Sequence, residues 1–176
     1  MEFKVRPATP DDAPGAVAVV KAVYEEYGFT WEEEGYHADL YELGDYYLAH
    51  GHRFAVAEGA SAILGTVALE LFPPLPGSVG ALVEFEGKVR LGGCDCALNR
   101  LYVHPKARRL GIGRALTAYV IDAARSDGRR AMEIWSDKRF VAAHDLYAQF
   151  GAKQIGERIC DDPDVSPEWG LLLGLE

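Results

Sequence analysis

The chain has 176 residues, 49% of them hydrophobic, and a formal net charge of −9. That length suits one domain with a full core, and that apolar share excludes a disordered chain. An acidic chain lacks the basic face that nucleic-acid phosphates require, no run of about 18 apolar residues is present to span a membrane, and the odd set Cys94, Cys96 and Cys160 disfavours a disulfide framework. The opening Met1-Glu2-Phe3-Lys4 has no apolar core of a secretory signal, so the expected location is cytoplasmic. Charge is uneven: residues 1–60 carry 12 acids against 4 bases, and residues 61–176 carry 15 against 14. Acidity in the first third could draw a cationic substrate, although it serves solubility equally well.

In chain order, Glu2 to Arg6 alternates weakly and predicts a first strand, broken by Pro7 to Pro10. Asp11 and Asp12 offer an N-cap for a helix to Tyr27, with Ala13, Ala16, Val17, Val20 and Val23 or Tyr24 at helical spacing and Gly28 as its stop. Glu32-Glu33-Glu34 reads as a solvated loop. The spacing of Leu40, Leu43, Tyr47 and Leu48 predicts a second helix over residues 36–50. Tyr24, Tyr27, Phe29, Trp31, Tyr36, Tyr41, Tyr46 and Tyr47 crowd this region.

Arg53 to Glu58 and Ile63 to Phe72 predict a hairpin, stopped by Pro73-Pro74-Leu75-Pro76-Gly77. Val79 to Phe85 and Lys88 to Leu91 read as a short hairpin turning at Glu86-Gly87, with an ordered loop as the alternative. Cys94 to Val103 is a central strand. A helix over residues 111–127 follows, with Leu110, Leu116, Val120 and Ala124 as its buried stripe and Gly128 beyond its end. Then come a strand from Ala131 to Ser136, a helix from Asp137 to Phe150, and strands over residues 153–160 and 169–175. Helices and strands in this order predict an α/β or α+β chain built on a mixed sheet.

The most informative stretch is residues 98–119. A strand ending Leu101-Tyr102-Val103 enters a His104-Pro105 turn, and Gly111-Ile112-Gly113 opens a helix among Lys106, Arg108, Arg109 and Arg114. Glycines let backbone N–H groups approach an anion, and a helix N-terminus favours negative charge. A P-loop needs Lys-Ser/Thr after its last glycine, and Arg114-Ala115 stands there. A dinucleotide fingerprint needs a third glycine, where Leu116 stands, although Glu133 lies 20 residues beyond Gly113 in a ribose-binding acid's place.

Arg108-x-x-Gly111-x-Gly113 after such a strand resembles the acetyl-CoA pyrophosphate motif of the GNAT superfamily of N-acetyltransferases. A second segment, Ala142-Ala143-His144-Asp145-Leu146-Tyr147-Ala148-Gln149-Phe150-Gly151-Ala152, resembles that family's Ala-x-x-Leu-Tyr-x-x-x-Gly-Phe signature. The two stand in family order with a strand between them. Trp135-Ser136-Asp137-Lys138-Arg139-Phe140 is similar to a subset of bacterial members, without indicating a substrate.

The resemblance implies a GNAT-like three-layer fold over residues 1–176 as one domain, with a mixed sheet of about 6–7 strands and about 4 helices. It implies acetyl-CoA as cosubstrate and direct transfer of the acetyl group to a primary amine in a ternary complex. The acceptor is a small molecule or a peptide amine, and the first two helices form one wall of its cleft. Neither nucleic acid nor membrane is expected as a partner, and homodimers are common in the family. The backbone of Leu101, Tyr102 and Val103 would hold the pantetheine arm. The amides and cations of Arg108, Arg109, Leu110, Gly111, Ile112, Gly113 and Arg114 would hold the pyrophosphate. Tyr147 would protonate the departing thiolate.

The chain departs from the family at Ala97, where many members carry a glutamate base. Replacement candidates are Glu70, His144 and Asp95, or a water. His144 lies three residues before Tyr147 and can share its helix face. A CoA-binding sensor without chemistry is the alternative that Ala97 favours. Cys94-x-Cys96 is too tight for the usual zinc pairs. Ser136, Asp137 and His144 invite a triad reading, but no Gly-x-Ser-x-Gly elbow is present.

Overall fold

The computed structural model describes all residues 1–176. The strands are β1 (Lys4–Pro7), β2 (Arg53–Glu58), β3 (Ile63–Leu71), β4 (Leu82–Phe85), β5 (Lys88–Leu91), β6 (Cys96–Val103), β7 (Ala131–Asp137), β8 (Lys153–Ile159) and β9 (Pro167–Gly174). The helices are α1 (Ala13–Tyr27), α2 (Ala38–Tyr41), α3 (Leu43–Tyr46), α4 (Ile112–Ser126) and α5 (Val141–Gln149). As expected, seven strands form a mixed sheet; their order is β1-β2-β3-β6-β7-β9-β8, and β4 and β5 pair by themselves. The β6–β7 pair is parallel; β1–β2, β7–β9 and β8–β9 are antiparallel.

The chain divides into two compact units. The first holds residues 1–68, 100–120 and 162–164; the second holds residues 69–99, 121–161 and 165–176. In the first, α1 buries Ala16, Val20 and Tyr24 with Leu40, Leu43, Tyr47, Phe54 and Val56. Asp12 precedes α1, but its carboxylate faces backwards. It accepts from the Thr9 N–H at 2.8 Å and pairs with Arg6 at 2.8 Å. It therefore ties β1 to the helix entry rather than capping α1.

The predicted helix over residues 36–50 is instead α2, α3 and a 3-10 turn at Leu48–His50, with Glu42 out of helical conformation at φ −129°. Three of its four apolar positions are nevertheless core: Leu40, Leu43 and Tyr47 are buried, whereas Leu48, in the 3-10 turn, is exposed. The hairpin reading holds over residues 82–91, with Phe85 opposite Lys88 across the Glu86-Gly87 turn; its first arm begins at Leu82, three residues after the predicted Val79.

In the second unit, Leu75, Leu91, Cys94 and Ala131 form a core flanked by Phe72, Phe85, Trp135 and Leu172. Here α5 begins at Val141, four residues later than predicted. Asp137 ends β7 and uses its carboxylate on the Arg139 N–H at 2.9 Å and on the Arg139 guanidinium at 2.7 Å. β9 starts at Pro167, two residues before the predicted Trp169.

Candidate active site

In the first unit the strand-to-helix turn is built from local bonds. The His104 N–H donates to the Leu64 carbonyl at 2.8 Å, and His104 Nδ1 accepts from the Lys106 N–H at 3.2 Å. Pro105 then fixes the first position of a 3-10 turn over Pro105–Ala107. Arg109 (φ 64°) and Gly111 (φ 83°) both adopt the left-handed conformation. Left-handed residues in turns are the means by which anion-binding nests gather backbone N–H groups. The Gly111 carbonyl accepts the first helical bond, from Ala115 at 3.0 Å.

Packing fixes where α4 starts. At Gly65 on β3, an added Cβ would stand 2.8 Å from Leu116 Cδ1, 2.9 Å from Ile112 Cγ2 and 3.1 Å from the Tyr102 carbonyl. The first turn of α4 therefore lies directly on β3. Ile112, Leu116, Val120 and Ala124 are buried, whereas Leu110 is exposed. Leu110 lies before the helix, so helical periodicity does not govern it, and Ile112 takes the core position predicted for it. Leu101, Tyr102 and Val103 end β6 half-buried. Arg109 is exposed, and Arg108 pairs with Glu26 at 2.7 Å.

In the second unit β6 and β7 pair only at Cys96↔Met132 and Ala97↔Glu133. Beyond Glu133 the edge of β7 has no β6 partner. Ser136 lies on that stretch, and its hydroxyl is 3.0 Å from His144 Nε2. The His144 ring also reaches the Asp137 carbonyl, and burial pushes its pKa below the ordinary histidine value. Tyr147 follows on α5 and is buried. Glu70, half-buried on β3, belongs to the same unit.

Asp95 has other work. Its carboxylate accepts from the Arg130 N–H at 3.1 Å and the Ala131 N–H at 3.2 Å, anchoring the entry to β7. Glu133 is equally committed. It is buried, pairs with Arg90, and accepts from the Leu91 N–H at 2.9 Å and Trp135 Nε1 at 3.0 Å. It is a core ion-pair residue, and the ribose-binding reading falls. Cys94 and Cys96 are buried, and burial raises both thiol pKa values, Cys94 to about 12. They stay protonated packing residues.

Sequence reasoning passed over one cluster. Arg100 on β6 reaches Asp39 with Nε at 3.0 Å and Nη2 at 2.7 Å, and its Nη2 also donates to the Tyr36 carbonyl at 2.6 Å. The Tyr47 hydroxyl donates to the same Asp39 carboxylate. No local pattern signals a pair separated by 61 positions.

The chain matches the family model described as Acetyltransferase (GNAT) family over residues 19–152. No curated protein matches it. Among solved structures it is similar to a GNAT-family acetyltransferase of Staphylococcus aureus Mu50, at 18% identity and TM-score 0.75, over 99% of this chain and 100% of that one. It is similar to yncA of Salmonella typhimurium, solved with its cofactor acetyl-CoA, at 17% identity and TM-score 0.70, over 100% and 95% of the two chains. A third is the ribosomal-protein-alanine N-acetyltransferase of Brucella melitensis, at 22% identity and TM-score 0.70, over 97% and 99%. These likenesses establish the shared fold. With a model match that runs through both motifs, the chain belongs to the acetyltransferase (GNAT) family and is an acyltransferase.

Proposed function

We propose that this chain transfers the acetyl group of acetyl-CoA to a primary amine, by direct attack within a ternary complex. The observation that carries the reading is the turn at residues 104–114. Two left-handed residues there, Arg109 and Gly111, lead into a 15-residue helix, and a helix N-terminus entered through such a turn suits an anion. Arg108, Arg109, Leu110, Gly111, Ile112, Gly113 and Arg114 hold the pyrophosphate, and the Leu101–Val103 backbone holds the pantetheine arm. The whole chain acts as one domain. Each unit is assembled from separate stretches of sequence, and the family match runs through both.

Attack needs a neutral amine and a leaving thiolate that gains a proton. Tyr147 donates that proton. His144 or Glu70 takes the proton of the amine. His144 is favoured by its depressed pKa, which keeps the imidazole neutral, and by its place one turn before Tyr147. Ala97 cannot serve.

Acetyl-CoA-dependent thiol release, read with and without an amine panel, tests the reading. Release that requires an amine supports it. Tight CoA binding without turnover on any amine points to the sensor reading. A melting temperature raised by NAD or ATP but not by CoA overturns both.

A further inference from the structure

We infer that Arg100 and His37 together recognise a carbon-bound oxygen, a carboxylate or a carbonyl, on the amine acceptor. This rests on the N-acetyltransferase reading and names the class of acceptor.

The observation is a pair of buried donors without acceptors. Arg100 Nη1 and His37 Nε2 are both closed to solvent and have no hydrogen-bond partner. Buried polar groups are nearly always paired, so each orphan needs a reason. Both belong to the first unit and flank one ring. The Arg100 guanidinium carbon lies 4.8 Å from the Tyr36 ring centroid, and the Tyr36 and His37 centroids are 5.1 Å apart.

Both groups can only donate. Arg100 spends Nε and Nη2 on Asp39 and the Tyr36 carbonyl, which leaves the Nη1 end of its fork. His37 Nδ1 accepts from the Glu32 N–H at 3.1 Å. Burial depresses its pKa to about 4, so the ring is neutral and Nε2 carries the hydrogen. A donor-only pair suits an oxygen and offers nothing to an ammonium.

Asp39 does not change that balance. Its carboxylate already receives Arg100 and the Tyr47 hydroxyl. Other acids of the acidic first third are also matched: Asp12 and Glu58 with Arg6, and Glu26 with Arg108. The acid nearest the donor pair is therefore already matched by its own cation.

Further features set the site apart from ordinary packing. Arg100 has φ 55°, a left-handed conformation that a long side chain adopts at a cost. It also directly precedes Leu101, where the reading above places the pantetheine arm. Trp31 stacks on His37 at 3.9 Å and Tyr24 meets it edge-on at 4.5 Å, giving the oxygen apolar surroundings in which hydrogen bonds are strong. The half-buried Tyr36 ring lies against the guanidinium.

The test compares α-amino acids, their amides and the matching decarboxylated amines. Acetylation at fixed acetyl-CoA is expected to favour the first two over the third by at least about 10-fold in kcat/KM. The double variant Arg100→Met/Asp39→Leu removes the ion pair without stranding Asp39, and is expected to bring the ratio close to one. Should it not fold, His37→Phe, which keeps a ring against Trp31, is expected to lower the ratio. Equal kcat/KM for the decarboxylated amines overturns the inference while leaving N-acetylation intact. So does a preference that survives both variants. If no amine is turned over, the N-acetyltransferase reading fails, and calorimetry on the CoA-loaded protein decides separately. Amino-acid binding weakened about 10-fold by loss of the carboxylate upholds the donor pair, and equal or undetectable binding overturns it.

Discussion

Buried Glu133 and half-buried Arg90 close an ion pair in the second unit, and the same carboxylate accepts from the Leu91 N–H and the Trp135 indole. One side chain thus joins the β4–β5 hairpin to β7. Removing the charge from one partner of a buried pair strands the other and costs about 3–5 kcal/mol. Glu133→Gln is expected to lose stability on that scale in urea unfolding. A loss below about 1 kcal/mol contradicts the structural role.

Gly111 stands at φ 83°, and a methyl group there would meet nothing within 4 Å. Backbone conformation alone therefore opposes a side chain. Gly111→Ala is expected to destabilise by about 1–2 kcal/mol and to raise the KM for acetyl-CoA as the turn relaxes. Steady-state kinetics alongside thermal unfolding would show both. An unchanged KM in a variant of reduced stability contradicts the placement of the pyrophosphate.

The buried His37 predicts an acid sensitivity. Its pKa falls from 6.5 to about 4 through burial, with Arg100 acting in the same direction and a backbone hydrogen bond at Glu32, Asp39 and Asp162 opposing. The unfolded chain therefore binds a proton before the folded chain does. Stability is full above about pH 6.5, falls as pH drops towards 4, and loses up to about 3 kcal/mol by that point. In His37→Phe that part of the pH profile should flatten; the same slope in both proteins would contradict it.

Tyr147→Phe removes a hydroxyl and little volume. If the phenol protonates the leaving thiolate, kcat falls by about 100-fold with little change in KM. Pre-steady-state and steady-state rates with the best amine measure this. An unchanged kcat would leave thiolate protonation to solvent.

The second half of the chain was largely legible because its signals are local. Gly111 and Gly113, the His104-Pro105 turn and the Leu146-Tyr147 segment act within a few residues, and the structure forms a turn and helices at those places. The region of residues 36–50 misled for a physical reason. Leu40, Leu43 and Tyr47 are buried at helical spacing, but separate single turns satisfy that spacing as well as one helix does. Within that region Asp39 is held by a distant partner, Arg100 on β6, which no local pattern reveals. Leu110 shows the same limit on a smaller scale, since a periodic stripe says nothing of where the helix starts. Glu133 had the spacing of a ribose ligand, and only Arg90, 43 positions away, shows what it does.

The central claim is acetyl transfer to an amine, and mass detection of products from acetyl-CoA and a broad amine panel tests it most directly. The account predicts an N-acetylated product, formed in step with free CoA and reduced in Tyr147→Phe. CoA binding with no acetylated amine across the panel, or CoA release that yields only acetate, would contradict it.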